Sequence, residues 1–215
     1  MLFAGIRCFD SALRILRGNH ALVKELLPAG LSMGFMGSLI NIGTVSLQAA
    51  INSLGTCTIV AHAATRKLTN IFIMPFVVLG NAMSNFCGQN YGAARLDRIQ
   101  KGLRFTLTIS MIWWGMVILI TYTIGPELIV AITDTDMKEI IDTACLYQRV
   151  DSLFYGVLPF IFYYRHGLQG MGDHVVPLIS SGGELVGKVV FALALAPVMG
   201  YWAVIWSEPV MWILM

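Results

Sequence analysis

Asp151 and Tyr155 have side-chain types and a spacing that suit the carriage of a cation. They lie in an apolar stretch at about 145–168, which is long enough to cross a membrane. An ionisable group inside such a stretch marks a functional site by default, because it is costly to place there. Four residues of separation put both side chains on one helix face. Asp151 can then carry H⁺ or Na⁺; alternatively it is a structural carboxylate near the interface, paired with Arg66 or Arg149.

Arg66 and Lys67 bring positive charge into a second apolar stretch, at about 57–87. In one interpretation they lie near the outer interface, and their charged ends reach water. Residues 68–87 are long enough to span the membrane by themselves, which favours this interpretation. In the other interpretation they line a cavity, where they would repel a cationic ligand unless Asp151 neutralised them.

Three uncharged polar residues, Asn41, Gln48 and Asn52, lie along or at the end of the first apolar stretch. Separations of seven and four residues keep them near one helix face. They are candidates either for hydrogen bonds between helices, worth about 0.6–2 kcal/mol each, or for a polar stripe that faces a cavity. Both interpretations remain open from the sequence.

Glu184 and Lys188 are four residues apart with the acid first, the favourable order for an ion pair within a helix. We expect a structural pair, whereas Glu208 has few candidate partners nearby in the sequence. The four cysteines are widely separated and form no metal or redox motif. No nucleophile, HExxH or phosphate-loop motif occurs either. We therefore predict a protein that is not an enzyme and has no cofactor or bound metal, apart from a coupling ion at Asp151.

The elements that must position these residues are membrane-spanning helices. The chain has 215 residues, of which 57% are hydrophobic and 12% charged, and its net charge is +2. This composition is typical of an integral membrane protein, and the small net charge does not suit binding to nucleic acid. We predict an all-α membrane protein with a basic lead-in segment, 1–25, and a transmembrane bundle, 26–215. Its six spans lie at about 28–51, 57–87, 105–125, 145–168, 175–197 and 201–215. The last span, at about 22 Å, is shorter than the hydrocarbon core and is expected to be truncated.

The distribution of Lys and Arg predicts how the spans are oriented. Nine of these residues fall on the side of the N-terminus when Arg165, at the end of span four, is counted with the loop that follows. Lys138 is the loop cation on the other side. Positively charged loops remain in the cytoplasm. We therefore expect a multi-pass protein of the plasma membrane with a cytoplasmic N-terminus.

Short motifs lie at the ends of several spans. LPAG begins the first span at 27–30, INSLG ends it at 51–55, GQNYGA closes the second at 88–93, and LQGMGD follows the fourth at 168–173. This order resembles the second six-helix bundle of multidrug and toxic compound extrusion (MATE) transporters. We interpret the motif glycines Gly88, Gly92, Gly170 and Gly172 as turn formers where helices leave the membrane.

The resemblance implies a function. MATE proteins are antiporters that export organic cations, including drugs, and use the inward flow of Na⁺ or H⁺. They have twelve helices in two bundles that face a central cavity, so this chain looks like one half. The implied partners are membrane lipid, a small organic cation and the missing N-terminal six-helix bundle, since alternating access needs two halves around a shared site.

Two alternatives to a drug exporter remain. The first is a flippase for lipid-linked saccharides, which belongs to the same wider superfamily and shares the helix count but not usually the GQNYGA and LQGMG motifs. The second is a fragment that does not transport, which the short last span suggests.

Overall fold

A computed structural model describes residues 20–215, with side chains from residue 23 onward except those of residues 25, 26 and 29. Most of the predicted lead-in segment, 1–25, therefore lies outside the described residues. The described part is helical throughout, without a strand. Its helices are α1 (His20–Asn52), α2 (Thr56–Gly92), α3 (Leu96–Thr133), α4 (Lys138–Phe154), α5 (Leu158–Gly170), α6 (Val175–Val190), α7 (Ala196–Met199) and α8 (Tyr201–Leu214), and a π-helical turn, Phe191–Leu195, joins α6 to α7.

Four helical segments are long and apolar enough to cross a membrane by themselves. They are Gly30–Asn52, Thr56–Gly92, Leu96–Thr133 and Val175–Met199. The predicted fourth span is divided between α4 and α5 by a turn at 155–157. The last helix, α8, has 14 residues. The fold is thus the predicted all-α membrane bundle, with its last helix short and its fourth span broken.

Helix α2 lies at the centre of the bundle and packs against α3, α4 and α5. Helix α1 packs mainly against α6, and α8 contacts both α4 and α6. The main apolar core is made by large side chains from α2, α3 and the break after α4, among them Phe72, Phe76, Val117, Ile129 and Tyr155. Side chains at positions 65, 69, 72 and 76 of α2 are buried because they recur at helical spacing on one face.

Two helices depart from regular geometry beside a proline. In α3, Ile124 has non-helical angles (φ −119°, ψ 18°) shortly before Pro126, and the helix continues beyond the predicted end of the span to Thr133. The π-helical turn Phe191–Leu195 precedes Pro197 in the same way. Proline provides no N–H for the helix and its ring crowds the preceding turn, so the backbone adjusts locally without ending the helix.

The motif glycines divide into two groups. Gly172, with φ of 92°, occupies the left-handed region and forms the expected turn. Gly88 lies inside α2 and Gly170 is the last residue of α5, where the two helices approach closely: a Cβ at Gly88 would lie 2.7 Å from the Gly170 carbonyl oxygen, and one at Gly170 would collide with the Ser84 carbonyl. The interpretation as a turn former is wrong for Gly88, which lies four residues before the end of α2, whereas Gly170 does precede the turn at 171–172. At both positions the small space between the two backbones requires glycine. At Gly92 a Cβ would meet nothing within 4 Å.

Candidate functional site

Asp151, which is 0% exposed, belongs to a cluster of four polar side chains that we call the ring, together with Tyr155, Thr69 and Gln148. The Tyr155 hydroxyl lies 3.0 Å from Asp151 Oδ2 and 3.0 Å from Thr69 Oγ1. Gln148 Nε2 donates to the Tyr155 hydroxyl at 3.1 Å, and Thr69 Oγ1 donates to Gln148 Oε1 at 3.3 Å. The predicted pair Asp151–Tyr155 is thus in contact, and α2 adds Thr69 across the helix interface.

The hydrogen bonds of the ring differ between the two protonation states of Asp151. When Asp151 is charged, the single Tyr155 hydroxyl proton points to Oδ2, and the contact between Tyr155 and Thr69 has no proton of its own. When Oδ2 carries a proton, Asp151 donates to the Tyr155 oxygen, and the Tyr155 proton turns to Thr69. The second carboxylate oxygen, Oδ1, is buried without a hydrogen-bond partner among the described residues. A buried acceptor left open in this way is suited to receive a proton or a cation.

A break in the helix lies directly beside this ring. The backbone N–H of Tyr155 turns to the Ser152 carbonyl at 3.4 Å, and a three-residue turn separates α4 from α5. Trp114 Nε1 donates to the same Ser152 carbonyl at 2.9 Å, and Gly156 leaves room for the Trp114 ring. An interruption of a helix inside the membrane is tolerated where other parts of the protein shield it from lipid, and here α3 packs over the break. Pro159 begins the next helix segment favourably, since the first helical turn needs no N–H from it.

A second polar cluster is a chain of five charged side chains, which we call the ion network. Lys188 Nζ lies 2.9 Å from Glu184 Oε1 and 3.2 Å from Glu208 Oε1. Arg66 Nη1 lies 3.4 Å from Glu208 Oε1, and Arg165 Nη2 lies 3.7 Å from Glu184 Oε2. The side chains of Lys188 and Glu208 are 3% and 7% exposed, while that of Arg66 is 32% exposed. The network joins α2, α5, α6 and α8 through the bundle interior.

Several expectations about these charges need correction. Glu208 has two partners, which the local sequence does not suggest because both come from other helices. Arg165 lies in α5 within the network and is not a loop residue, so eight and not nine cations remain on the N-terminal side. Arg66 pairs with Glu208 and not with Asp151, and Arg149 stacks over the Tyr122 ring at 5.7 Å.

The remaining candidates lie on exposed faces. Lys67 is exposed, and so are the three polar residues of the first span. Gln48 Nε2 donates to Asn52 Oδ1 at 3.0 Å, and Asn41 Nδ2 donates to the Gly37 carbonyl at 2.8 Å. These bonds stay within α1, so the stripe does not join helices within the described part of the chain. Its exposed amides face outward from the bundle.

A small cavity lies where the stripe meets the ion network. Its volume is about 30 Å³, and the lining residues include Gln48, His62, Arg66, Tyr147 and Glu208. The Tyr147 hydroxyl is buried and makes no hydrogen bond to any residue that the structure describes. His62 contacts Tyr147 edge-on, with ring centroids 5.3 Å apart. The sequence predicts no role for His62, Tyr147 or Thr69, because their importance depends on contacts across helices. Gln148 is also missed, yet it lies one turn before Asp151 on α4 and could have been found from that spacing.

Residues 33–194 match the MatE family model, which covers most of the chain. The chain belongs to the MatE family. A curated MatE-type relative, the probable multidrug resistance protein YoeA of Bacillus subtilis (strain 168), is 25% identical over 122 residues. That match takes in 56% of this chain and 26% of YoeA. The resemblance in motif order is therefore confirmed at the level of the family.

Solved MATE structures share the fold. A transporter of the MOP superfamily from Pyrococcus furiosus Vc1 (DSM3638) superposes with a TM-score of 0.73 at 18% identity, covering 89% of this chain and 42% of that one. A MATE crystal structure in the straight conformation gives 0.76 at 17% identity, again covering 89% and 42%. The chain thus spans less than half of these transporters and about a quarter of YoeA, and it has the fold of one MATE bundle.

Proposed function

We propose that the chain is one bundle of a cation-coupled exporter of organic cations, including drugs, in the plasma membrane. An opposing six-helix bundle completes the central cavity, because a single bundle offers no second wall for alternating access. The N-terminus lies in the cytoplasm, and membrane lipid covers the outer faces of the helices. Membership of the MatE family and the shared bundle fold support this proposal.

The observation that carries the coupling is the geometry at Asp151. A buried carboxylate with one oxygen held by Tyr155 and the other open can exchange H⁺ or Na⁺. It lies beside the break between α4 and α5, where a change of backbone angles can move the two segments relative to each other. Cation binding at Asp151 is thereby linked to a part of the bundle that can rearrange.

The proposal is tested in the transporter that this chain forms with its opposing bundle, purified and placed in liposomes. Ethidium efflux is measured with a Na⁺ gradient, with an H⁺ gradient and without either. We expect one gradient to drive efflux in the unmodified protein. Asp151→Asn is expected to reduce efflux to the level seen without a gradient, because the amide cannot exchange a cation.

The matched control is Asp142→Asn, which alters an exposed carboxylate on the same helix and should leave coupling intact. Wild-type coupling in Asp151→Asn would remove Asp151 from the mechanism. If the unmodified transporter shows no gradient-driven efflux, the exporter proposal fails. Accumulated lipid-linked saccharide precursors in cells that lack the protein, with unchanged drug tolerance, would favour the flippase instead.

A further inference from the structure

The ion network contains more positive than negative charge. Three cations, Arg66, Lys188 and Arg165, face two carboxylates, Glu184 and Glu208. Lys188 lies between both carboxylates, and Arg165 meets Glu184 at the far end. A cation therefore lies at each end of the network, and Arg66 is the more exposed of the two, as well as the most exposed member of the network.

The Arg66 guanidinium retains unused hydrogen-bonding capacity. Within the described part of the chain its one side-chain partner is Glu208 Oε1, at 3.4 Å, longer than the 2.7–3.2 Å of a well-formed N–H···O bond. A guanidinium offers five N–H donors in a planar fork that suits a carboxylate held through two oxygens. Glu208 engages this fork at one point and is itself shared with Lys188.

A second unsatisfied donor lies in the same cavity. Tyr147 is buried, its hydroxyl lacks a hydrogen-bond partner among the described residues, and it lines the cavity together with Arg66 and Gln48. A volume of about 30 Å³ admits about one water molecule or one carboxylate oxygen. Gln48 is exposed at this position, so a larger ligand can place one oxygen inside while its remainder stays in the open space along α1.

Neither of the nearby carboxylates, Glu208 and Asp151, neutralises Arg66 fully. Glu208 has two cationic partners. Asp151 follows Tyr147 by one helical turn and could balance the surplus charge, yet it is fully buried and no described Lys or Arg nitrogen lies within 4.0 Å of it. The partly buried guanidinium of Arg66 is left to meet an anionic group that arrives from the open face.

We propose that Arg66 and the Tyr147 hydroxyl form a carboxylate subsite, which favours zwitterionic substrates that carry a carboxylate beside their cationic group. The subsite deepens the proposed function and rests on it, since it selects among the organic cations that the exporter accepts. Purely cationic compounds form no bond with Arg66, and its positive charge repels them.

Two dyes with nearly the same structure provide the test. Rhodamine 110 has a free carboxylate, and rhodamine 123 is its methyl ester. Fluorescence polarisation measures the binding of each dye to the complete transporter in nanodiscs. We expect rhodamine 110 to bind more tightly than the ester, and Arg66→Gln to weaken rhodamine 110 by about tenfold while leaving rhodamine 123 unchanged or stronger.

Three further variants separate the subsite from a structural role. Lys67→Gln removes the neighbouring exposed charge and should leave the ratio of the two affinities unchanged. Arg66→Lys keeps the charge without the planar fork and should restore binding only in part. Tyr147→Phe removes a hydroxyl that bonds to none of the described residues, so it tests the second donor with little risk to folding.

The outcomes distinguish this inference from the proposed function. If Arg66→Gln changes both dyes equally, or neither, the subsite is refuted even when gradient-driven efflux is intact. If the difference disappears in nanodiscs without anionic lipid, Arg66 contacts lipid phosphate and the subsite is likewise refuted. If the binding difference holds but no gradient drives efflux, the exporter proposal fails alone.

Discussion

Lys188 is the residue on which the ion network depends, because its ammonium group lies between the two buried carboxylates. Gly43 of α1 leaves room for its side chain: a Cβ there would lie 3.2 Å from Lys188 Cδ. Removing one partner of a buried pair is strongly destabilising, since the remaining charges lose both water and their counter-charge. The network is therefore expected to stabilise the packing of α2, α5, α6 and α8, and α1 packs against it through Gly43.

Lys188→Met is expected to lower the free energy of unfolding by about 3–5 kcal/mol, because Glu184 and Glu208 then each keep one weaker partner. Denaturant unfolding in detergent, followed by tryptophan fluorescence, measures the change. Lys138→Met is the matched control, since Lys138 is exposed at the start of α4 and should change stability by less than about 0.5 kcal/mol. Equal stability of the two variants would contradict a structural role for the network.

Local spacing alone indicates the residue pairs Asp151–Tyr155 and Glu184–Lys188, because four residues make one helical turn. Gln148 lies on the same helix as Asp151, and the other members of both clusters come from distant helices. Thr69 is 86 residues from Tyr155, and Arg66 is 142 residues from Glu208. No periodicity within one helix can reveal such contacts, which depend on how the helices pack.

At the scale of elements, the approach of α2 to α5 depends on small residues. Gly170 faces the Ser84 carbonyl and Gly88 faces the Gly170 carbonyl, so the two backbones pack without side chains between them. Small residues at helix interfaces give this kind of close packing inside membranes. The LQGMGD and GQNYGA motifs thus meet in space, although Gly88 and Gly170 are 82 positions apart in the sequence.

Gly170→Ala is expected to destabilise the bundle by about 1–3 kcal/mol, because the added methyl group forces α2 and α5 apart. Gly115→Ala is the control: it lies within α3, and its Cβ would meet nothing within 4 Å. That control should be neutral or stabilising, since alanine favours a helix over glycine. The midpoint of thermal unfolding in detergent compares the two, and an unchanged midpoint for Gly170→Ala would show that the helices are not held this closely.

The break between α4 and α5 is harder to foresee than the helices themselves. Gly156 and Pro159 do not by themselves distinguish a turn from an uninterrupted helix. What fixes the turn at 155–157 is a set of contacts from outside, chiefly Trp114 on the Ser152 carbonyl and Thr69 on the Tyr155 hydroxyl. Long apolar helices follow from composition, whereas an interruption depends on its neighbours.

At the scale of the whole molecule, the proposed sidedness predicts which loops can be labelled from outside. In a background without the native cysteines, Asp136→Cys between α3 and α4 should react with an impermeant maleimide on intact cells. Arg98→Cys, at the start of α3, should react only after the cells are opened. Both positions are exposed, so accessibility does not favour either. The reverse pattern would show that the topology is inverted. The distribution of Lys and Arg still favours the proposed topology after Arg165 is removed from the loop count.

The sequence by itself determined that this is a helical membrane protein of the MatE family, and it indicated where charge enters the apolar spans. These properties follow from composition, motif order and spacing within a helix, which are local. Tertiary structure decided that Thr69 and Gln148 complete the ring at Asp151 and that Arg66 and Arg165 join Glu184, Lys188 and Glu208. Buried polar groups in an apolar bundle must find partners wherever packing brings them, so their partners are chosen by the fold and not by the neighbouring sequence.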